Sequence, residues 1–297
     1  MSVRVGVIGA GAFGREHALA YSQLPTARLV SIVDADPARA DSLAAELGVD
    51  RGGALGHPDA VSVVVPAASR GTLVADSIAA GRAVLIEKPL AATVEEAREI
   101  VRLGGGLPVM VGHLLRFAEP YVRLEQRARA FGRLSGGTLG RLRSAAHAAR
   151  HPADDVVGLT MIHDLDAVAW LAGSSIATVR ATGRADDERW IASDAELTMA
   201  DGSRWFVHAA WEGSDADQRD DASIVAADGR ESSLSLGSAD AAVYDSALEA
   251  ELAHFVECAA LGAPSDRLVL ADAARAVAAA DAVRTSMEQK GAPVDVW

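Results

Sequence analysis

The feature that most constrains this chain is its opening stretch. An apolar, β-branched run at 3–8 breaks into Gly9-Ala10-Gly11-Ala12-Phe13-Gly14 and then into residues of helical composition. Three glycines at this spacing between a strand and a helix have separate duties. The first permits a tight turn, the second lets a ligand approach the backbone, and the third lets helix and strand pack. Free amides and the positive end of the helix dipole then form an anion site suited to a pyrophosphate. Gly9, Gly11, Ala12, Phe13 and Gly14 are therefore expected to hold a dinucleotide.

The pattern continues as alternation. Short β-branched runs at 3–8, 29–33, 61–65, 83–87 and 108–112 are separated by alanine-rich helical stretches, one of which starts at Pro37 and ends at Gly48. Proline in the first turn and glycine at the end are ordinary helix boundaries. The expectation is α/β: a doubly wound parallel sheet of Rossmann type at 1–118. Beyond it the rhythm changes. Helical pieces at 119–131 and 159–171 flank a glycine-rich turn, and strand-like runs follow at 176–182, 196–200, 204–211, 223–227 and 232–236. Asp201-Gly202 and Asp228-Gly229 are two-residue hairpin signals. Two amphipathic helices, 246–260 and 271–289, close the chain. Residues 119–297 are expected to form an α+β domain with a mostly antiparallel sheet.

Composition narrows the partners. Half of the 297 residues are apolar and 23% are charged, which supports packed cores and excludes disorder. With 28 basic against 41 acidic residues, the formal charge of −13 repels phosphate backbones and anionic lipid. Neither nucleic acid nor a membrane is expected as a partner. Cys258 is the single cysteine, so no internal disulfide forms, which fits a reducing compartment. No uncharged apolar run of spanning length occurs, and the start carries no signal-peptide pattern. A cytoplasmic location follows as the expectation. His147, His151 and His208 show no ligand spacing, so no metal is assigned.

Two further residues carry chemistry. Asp34 lies at the end of the second strand, 20 residues past Gly14, where a carboxylate accepts bonds from the ribose hydroxyls and repels a 2′-phosphate. NAD is thus expected rather than NADP. Asp34 or Asp36 can alternatively cap the next helix, and Asp36, just before Pro37, suits that task better. Among the basic residues only Lys88 and Lys290 are lysine. Lys88 ends the fourth strand in Ile86-Glu87-Lys88-Pro89, at the ligand-binding edge of such a sheet. An ammonium can be desolvated and lose a proton, which a guanidinium cannot.

With Val7-Ile8 before the glycine loop, Val33-Asp34, Glu87-Lys88-Pro89-Leu90, Gly112-His113-Leu114-Leu115-Arg116-Phe117, and His163 in Met161-Ile162-His163-Asp164-Leu165-Asp166, the chain resembles the glucose-fructose oxidoreductase/inositol dehydrogenase/MocA (Gfo/Idh/MocA) family of NAD(P)-dependent oxidoreductases. The resemblance implies hydride exchange at a secondary hydroxyl of a sugar, cyclitol or nucleotide sugar. It also implies that 119–297 is a substrate-binding and dimerisation domain with an open, mostly antiparallel sheet, and that the protein is a homodimer or higher homo-oligomer. Lys88 is implied to bond the reacting oxygen and His163 to exchange the proton, as an imidazole does near neutral pH. Glu87 and Pro66 join the cofactor-binding set, and His113 and Arg116 the substrate-facing set.

Two positions depart from the family. An aspartate often stands four residues before the histidine; here it is Leu159, leaving Asp154, Asp155 and Asp166 as candidate relay carboxylates. Pro66-Ala67-Ala68-Ser69-Arg70 replaces a Pro-Asn pattern with a following histidine. Leu159 keeps a second function in view, a non-catalytic dinucleotide sensor or regulatory subunit on the same fold. Trp205, Val207, Ala209 and Trp211 alternate onto one strand face, which is expected to stack a sugar or, more in keeping with its size, to lie against a second copy or within a core.

Overall fold

A computed structural model describes residues 2–49 and 57–296. The chain divides into two compact units. The first comprises the described residues of Met1–Leu114 with Ser246–Ala274, and the second those of Leu115–Asp245 with Arg275–Trp297. The first unit therefore takes a segment from late in the sequence, which the change of rhythm near residue 118 does not announce.

In the first unit, β1 (Val3–Ile8), β2 (Ala27–Val33), β3 (Ala60–Val63), β4 (Ala83–Glu87) and β5 (Val109–Gly112) form a parallel sheet in the order β2-β1-β3-β4-β5. Helices α1 (Ala12–Gln23), α2 (Pro37–Leu47), α3 (Gly71–Ala79) and α4 (Val94–Gly104) connect them. Strands β1, β3 and β4 read as continuous apolar runs because both faces are covered: Val5, Val7, Val61, Val63, Val84, Leu85 and Ile86 are fully buried. Asp36 caps α2, accepting from Ala38 N at 3.0 Å, and Gly48 ends it in the left-handed region. Since strand order reverses about β1, the crevice at the carboxyl ends of β1 and β3 is the expected ligand position.

The second unit contains α5 (Glu119–Phe131), β6 (Leu134–Arg143), α6 (Ala145–Arg150), α7 (Ile162–Ala172), β7 (Ile176–Asp186), β8 (Arg189–Met199), β9 (Arg204–Trp211), β10 (Arg219–Ala226) and β11 (Glu231–Gly237). After α8 (Ala241–Leu261) and α9 (Leu270–Glu288), β12 (Val294–Asp295) completes a sheet in the order β11-β10-β6-β9-β8-β7-β12. Its one parallel pair is β6 with β9; the other pairs are antiparallel. Both Asp-Gly pairs turn hairpins, with Gly202 and Gly229 at φ +87° and +86°.

Two expectations about this unit are corrected. The glycine-rich stretch after α5 is not a turn but strand β6, in the middle of the sheet. Its glycines are there for contact: a Cβ on Gly137 would lie 2.6 Å from the Trp205 ring and 2.3 Å from the Ser223 carbonyl. Helix 159–171 instead begins as a π-helical turn, Val157–Met161, that passes into α7. For Trp205 and Trp211 the structure decides among the alternatives: they lie within a core, and no second copy is needed to cover them. They are 0% and 3% exposed within the single chain, with Trp211 Nε1 donating to Thr160 Oγ1 at 2.7 Å. The opposite sheet face carries Thr138, Asp194, Glu196, Phe206 and His208 around a hollow of about 530 Å³. Cys258 is buried.

Among the described residues, no helix is long and apolar enough to cross a membrane, and no group of three or more His, Cys, Asp or Glu side chains is placed to hold a metal ion.

Candidate active site

The first unit gathers its candidates along one edge. Gly9 follows β1, Asp34 follows β2, Pro66 follows β3, Lys88 follows β4 and His113 follows β5, so all stand at carboxyl ends of parallel strands. The three loop glycines have three different geometries. Gly9 sits at φ +108°, and a Cβ there would strike the Val64 carbonyl at 2.2 Å. A Cβ on Gly14 would meet the Gly9 carbonyl at 1.9 Å, which is how α1 closes onto the loop. Around a Cβ on Gly11 there is nothing within 4 Å. Gly11 is the α1 N-cap and makes no side-chain cap. The space beside Gly11 at the start of α1 is thus open, which fits a pyrophosphate cradle.

Asp34 lies beside that cradle. Its Oδ2 accepts from Ala10 N at 2.7 Å and its Oδ1 from Asp36 N at 2.8 Å, so it ties the glycine loop to the end of β2. Burial pushes its pKa up, but the two amides and Arg39 outweigh this and hold it below the ordinary carboxylate value. Arg39 Nη1 is 3.6 Å away on a half-exposed side chain. An acid and an arginine therefore meet at the position that distinguishes the two dinucleotides.

At the end of β4, Glu87 is buried and Lys88 half-buried. Glu87 Oε1 is hydrogen-bonded to the fully buried His17 Nε2 at 3.1 Å, and its Oε2 accepts from Lys88 N at 3.1 Å. The carboxylate needs Gly112 beside it, since a Cβ there would come within 2.5 Å. His17 also meets the edge of Phe13 at a centroid distance of 5.1 Å, linking the lysine strand to the glycine loop. His113 is buried at the end of β5. The sequence contained His17 on the buried face of α1 but no spacing that joined it to Glu87.

In the second unit His163 is half-buried in the first turn of α7, directly after the π-helical turn that holds Leu159. Such turns displace the helical register and recur at functional sites. Its neighbours in sequence are fixed by ion pairs. Asp166 accepts from Arg116 Nε at 2.9 Å and Nη2 at 2.7 Å, with both residues buried. Asp164 accepts from Arg141 Nη2 at 3.0 Å, and Arg141 Nη1 donates to Asp220 at 2.5 Å. Arg143 and Tyr244 also donate to Asp220. Burial disfavours the Arg141 charge, but Asp164 and Asp220 overcome it and raise its pKa well above the ordinary value. Buried charges in this number persist because each has a partner. They pin α7 to β6 and β10, an arrangement whose only trace in the sequence is Arg141 and Arg143 at alternate positions of a strand.

The carboxylates offered in place of Leu159 are differently disposed. Asp155 accepts from Arg284 Nε at 2.6 Å and Nη2 at 2.8 Å, and from Gly158 N at 2.7 Å. Burial raises its pKa, yet these partners carry it below the ordinary value. It is a structural anion that starts the π-helical turn. Asp154 is exposed, 3.8 Å from His151.

Residues 3–113 match the oxidoreductase family GFO_IDH_MocA, NAD-binding Rossmann fold. Inositol 2-dehydrogenase 1 of Saccharopolyspora erythraea is 32% identical over 235 residues, 71% of this chain and 69% of that protein. The chain belongs to the Gfo/Idh/MocA oxidoreductase family. An inositol 2-dehydrogenase of Acidothermus cellulolyticus is 35% identical over 61% of this chain, but the match spans 56% of that protein, little over half its length. Among solved structures, a UDP-N-acetylglucosamine 3-dehydrogenase from Acidithiobacillus ferrooxidans superposes with a TM-score of 0.81 at 27% identity, covering 97% of this chain and 99% of that one. The residues matched to the Gfo/Idh/MocA family include both the glycine loop and Glu87-Lys88-Pro89.

Proposed function

We propose that this protein is an NAD-dependent dehydrogenase that exchanges a hydride with a secondary alcohol or ketone of a cyclitol, sugar or nucleotide sugar. The observation that carries the reading is the division of labour among the glycines: Gly9 and Gly14 are required by internal contacts, while Gly11 faces open space at a helix N-terminus. Gly11 and the amides of Ala12, Phe13 and Gly14 hold the pyrophosphate, Asp34 the ribose, and Pro66 and Glu87 border the cofactor. Bound there, NAD supplies the hydride acceptor or, reduced, the donor. The Lys88 ammonium donates to the substrate oxygen and stabilises negative charge on it. The His163 imidazole takes the hydroxyl proton in oxidation and returns it in reduction. His113 and Arg116 complete the substrate-facing set, with Arg116 acting through its bond to Asp166. Asp155 is engaged by Arg284 and Asp166 by Arg116, which leaves solvent or the exposed Asp154 to exchange the His163 proton.

The relatives named inositol 2-dehydrogenase favour a cyclitol, and the UDP-N-acetylglucosamine 3-dehydrogenase favours a nucleotide sugar as the second choice. A homodimer belongs to the same reading, through the sheet face bearing Phe206 and His208. The test is nicotinamide absorbance at 340 nm, an ordinary property of the reduced cofactor, with inositols, hexoses and UDP-sugars in both directions. Turnover of a polyol is the expected result. Tight NAD binding with no turnover of any of them would give the regulatory alternative, which Leu159 favours.

A further inference from the structure

The loop from Pro66 to Arg70 departs from the family pattern, and its last residue does something no motif indicated. Arg70 caps α3 and is 3% exposed. Its Nη1 donates to the carbonyl of Glu87 and to the carbonyl of Pro89, and its Nη2 donates to the carbonyl of Val65 at 2.6 Å. One guanidinium thus joins the ends of β3 and β4, and two of the three carbonyls bracket Lys88.

Such a contact needs arginine. A planar fork presents several donors in fixed directions, whereas an ammonium is a compact point charge on a flexible stem. Burial of a cation is costly without compensation, and the partial charges on three carbonyl oxygens supply part of it. The carbonyls of Glu87 and Pro89 belong to the residues on either side of Lys88. Both accept from Arg70, so the backbone is tied on either side of the lysine. The Glu87 side chain anchors the same three residues from its other end, through His17 and the Lys88 amide.

We propose that Arg70 is the positioning residue for Lys88: it fixes the backbone on either side of the lysine and so sets where its ammonium reaches. This rests on the reading of Lys88 as the group that meets the substrate oxygen. It explains why the chain tolerates the loss of the usual pattern at 66–70, because a longer cationic side chain spans from that loop to the lysine strand.

The test exploits the scarcity of lysine. Reductive ¹³C-methylation of the full chain labels Lys88, Lys290 and the terminal amine, so each gives its own NMR signal. In Arg70→Met the Lys88 methyl signal is expected to move, with its titration midpoint shifted by about half a pH unit or more, while Lys290 stays in place. In Arg70→Ala, added guanidinium ion is expected to return the Lys88 signal toward its wild-type position. If Arg70→Met does not fold, Arg70→Gln, which keeps two amide donors, carries the same measurement. On a turned-over polyol, kcat of Arg70→Met should fall about tenfold to a hundredfold, the cost of a misplaced catalytic group, with KM little changed. A Lys88 signal that is unmoved in folded Arg70 variants overturns the proposal, whatever happens to turnover. A moved signal in a protein that turns over no polyol upholds the positioning role and removes only the dehydrogenase reading.

Discussion

Each unit of this chain has a cluster of three glycines, and the clusters serve opposite ends. Gly9, Gly11 and Gly14 lie between a strand and a helix, and the middle one opens outward. Gly136, Gly137 and Gly140 lie inside strand β6, where Gly137 is pressed against Trp205 on the paired strand β9. In the first unit a missing side chain leaves open space at a helix N-terminus; in the second it makes room for the protein's own indole. Glycine spacing therefore carries a functional meaning only with its flanking elements, since the absent Cβ does not say what fills its place.

The sharpest way to break the comparison is to remove the chemistry from each unit in turn. Lys88→Met in the first and His163→Asn in the second should each lower kcat by about a hundredfold or more, the scale of a lost proton-transfer group or oxyanion donor. NAD affinity, read by calorimetry, should change little in either variant. Normal turnover in folded His163→Asn would remove the second unit from the proton transfer, and the same result for Lys88→Met would remove the first.

The next effect is on stability. Gly137→Ala places a methyl group against the Trp205 ring and the Ser223 carbonyl, and the carbonyl is backbone that cannot swing aside. Overpacking of this kind costs about 1–3 kcal/mol. All five tryptophans lie at or beyond residue 170, so indole fluorescence reports the second unit. Its urea midpoint should fall while NAD affinity at low denaturant is retained. An unchanged midpoint would show that β6 yields, and that its glycines are not there for Trp205.

The complementary change is Gly11→Ser. Serine is a favoured N-cap, and the space around a Cβ here is empty, so stability should hold or rise slightly. NAD affinity should nevertheless fall by about tenfold, equivalent to 1.4 kcal/mol, because the side chain enters the cradle. Stability lost together with affinity would make Gly11 structural like Gly137.

The two units also differ in how far their residues announced the fold. In the first, each candidate stands at the end of its strand, and the rules for strand, loop and helix act over short stretches, so Gly9 to Gly14, Asp34 and Lys88 were legible one by one. What escaped was lateral: His17 meets Glu87 across 70 residues and Arg70 meets Glu87 across 17. A buried side chain that bonds a carbonyl leaves no spacing to read. In the second unit such separations are the rule, because Arg141 meets Asp164 across 23 residues and Asp220 across 79. Strand β6 looked like a turn because the partners that require its glycines, β9 and β10, come much later. His163 was singled out by family resemblance, while the π-helical turn before it had no local signature.

The smallest effect bears on the cradle itself. Asp34 is held ionised by the amides of Ala10 and Asp36, and a carboxylate beside the ribose repels a 2′-phosphate. Arg39, 3.6 Å from Asp34 Oδ1, opposes it, because a half-exposed guanidinium is the group that accommodates such a phosphate. The carboxylate is nearly buried and the guanidinium is largely in solvent, where water and salt weaken its field. Asp34 should therefore prevail, giving NAD a preference of about tenfold over NADP by calorimetric titration. Arg39→Ala should widen that preference. Asp34→Asn should close it, and the residual ordering should then weaken with added salt, as an exposed charge requires. NADP bound tenfold more tightly by the wild-type protein would return Asp34 to a purely structural task, tying the loop to β2, and would make Arg39 the residue that selects the cofactor.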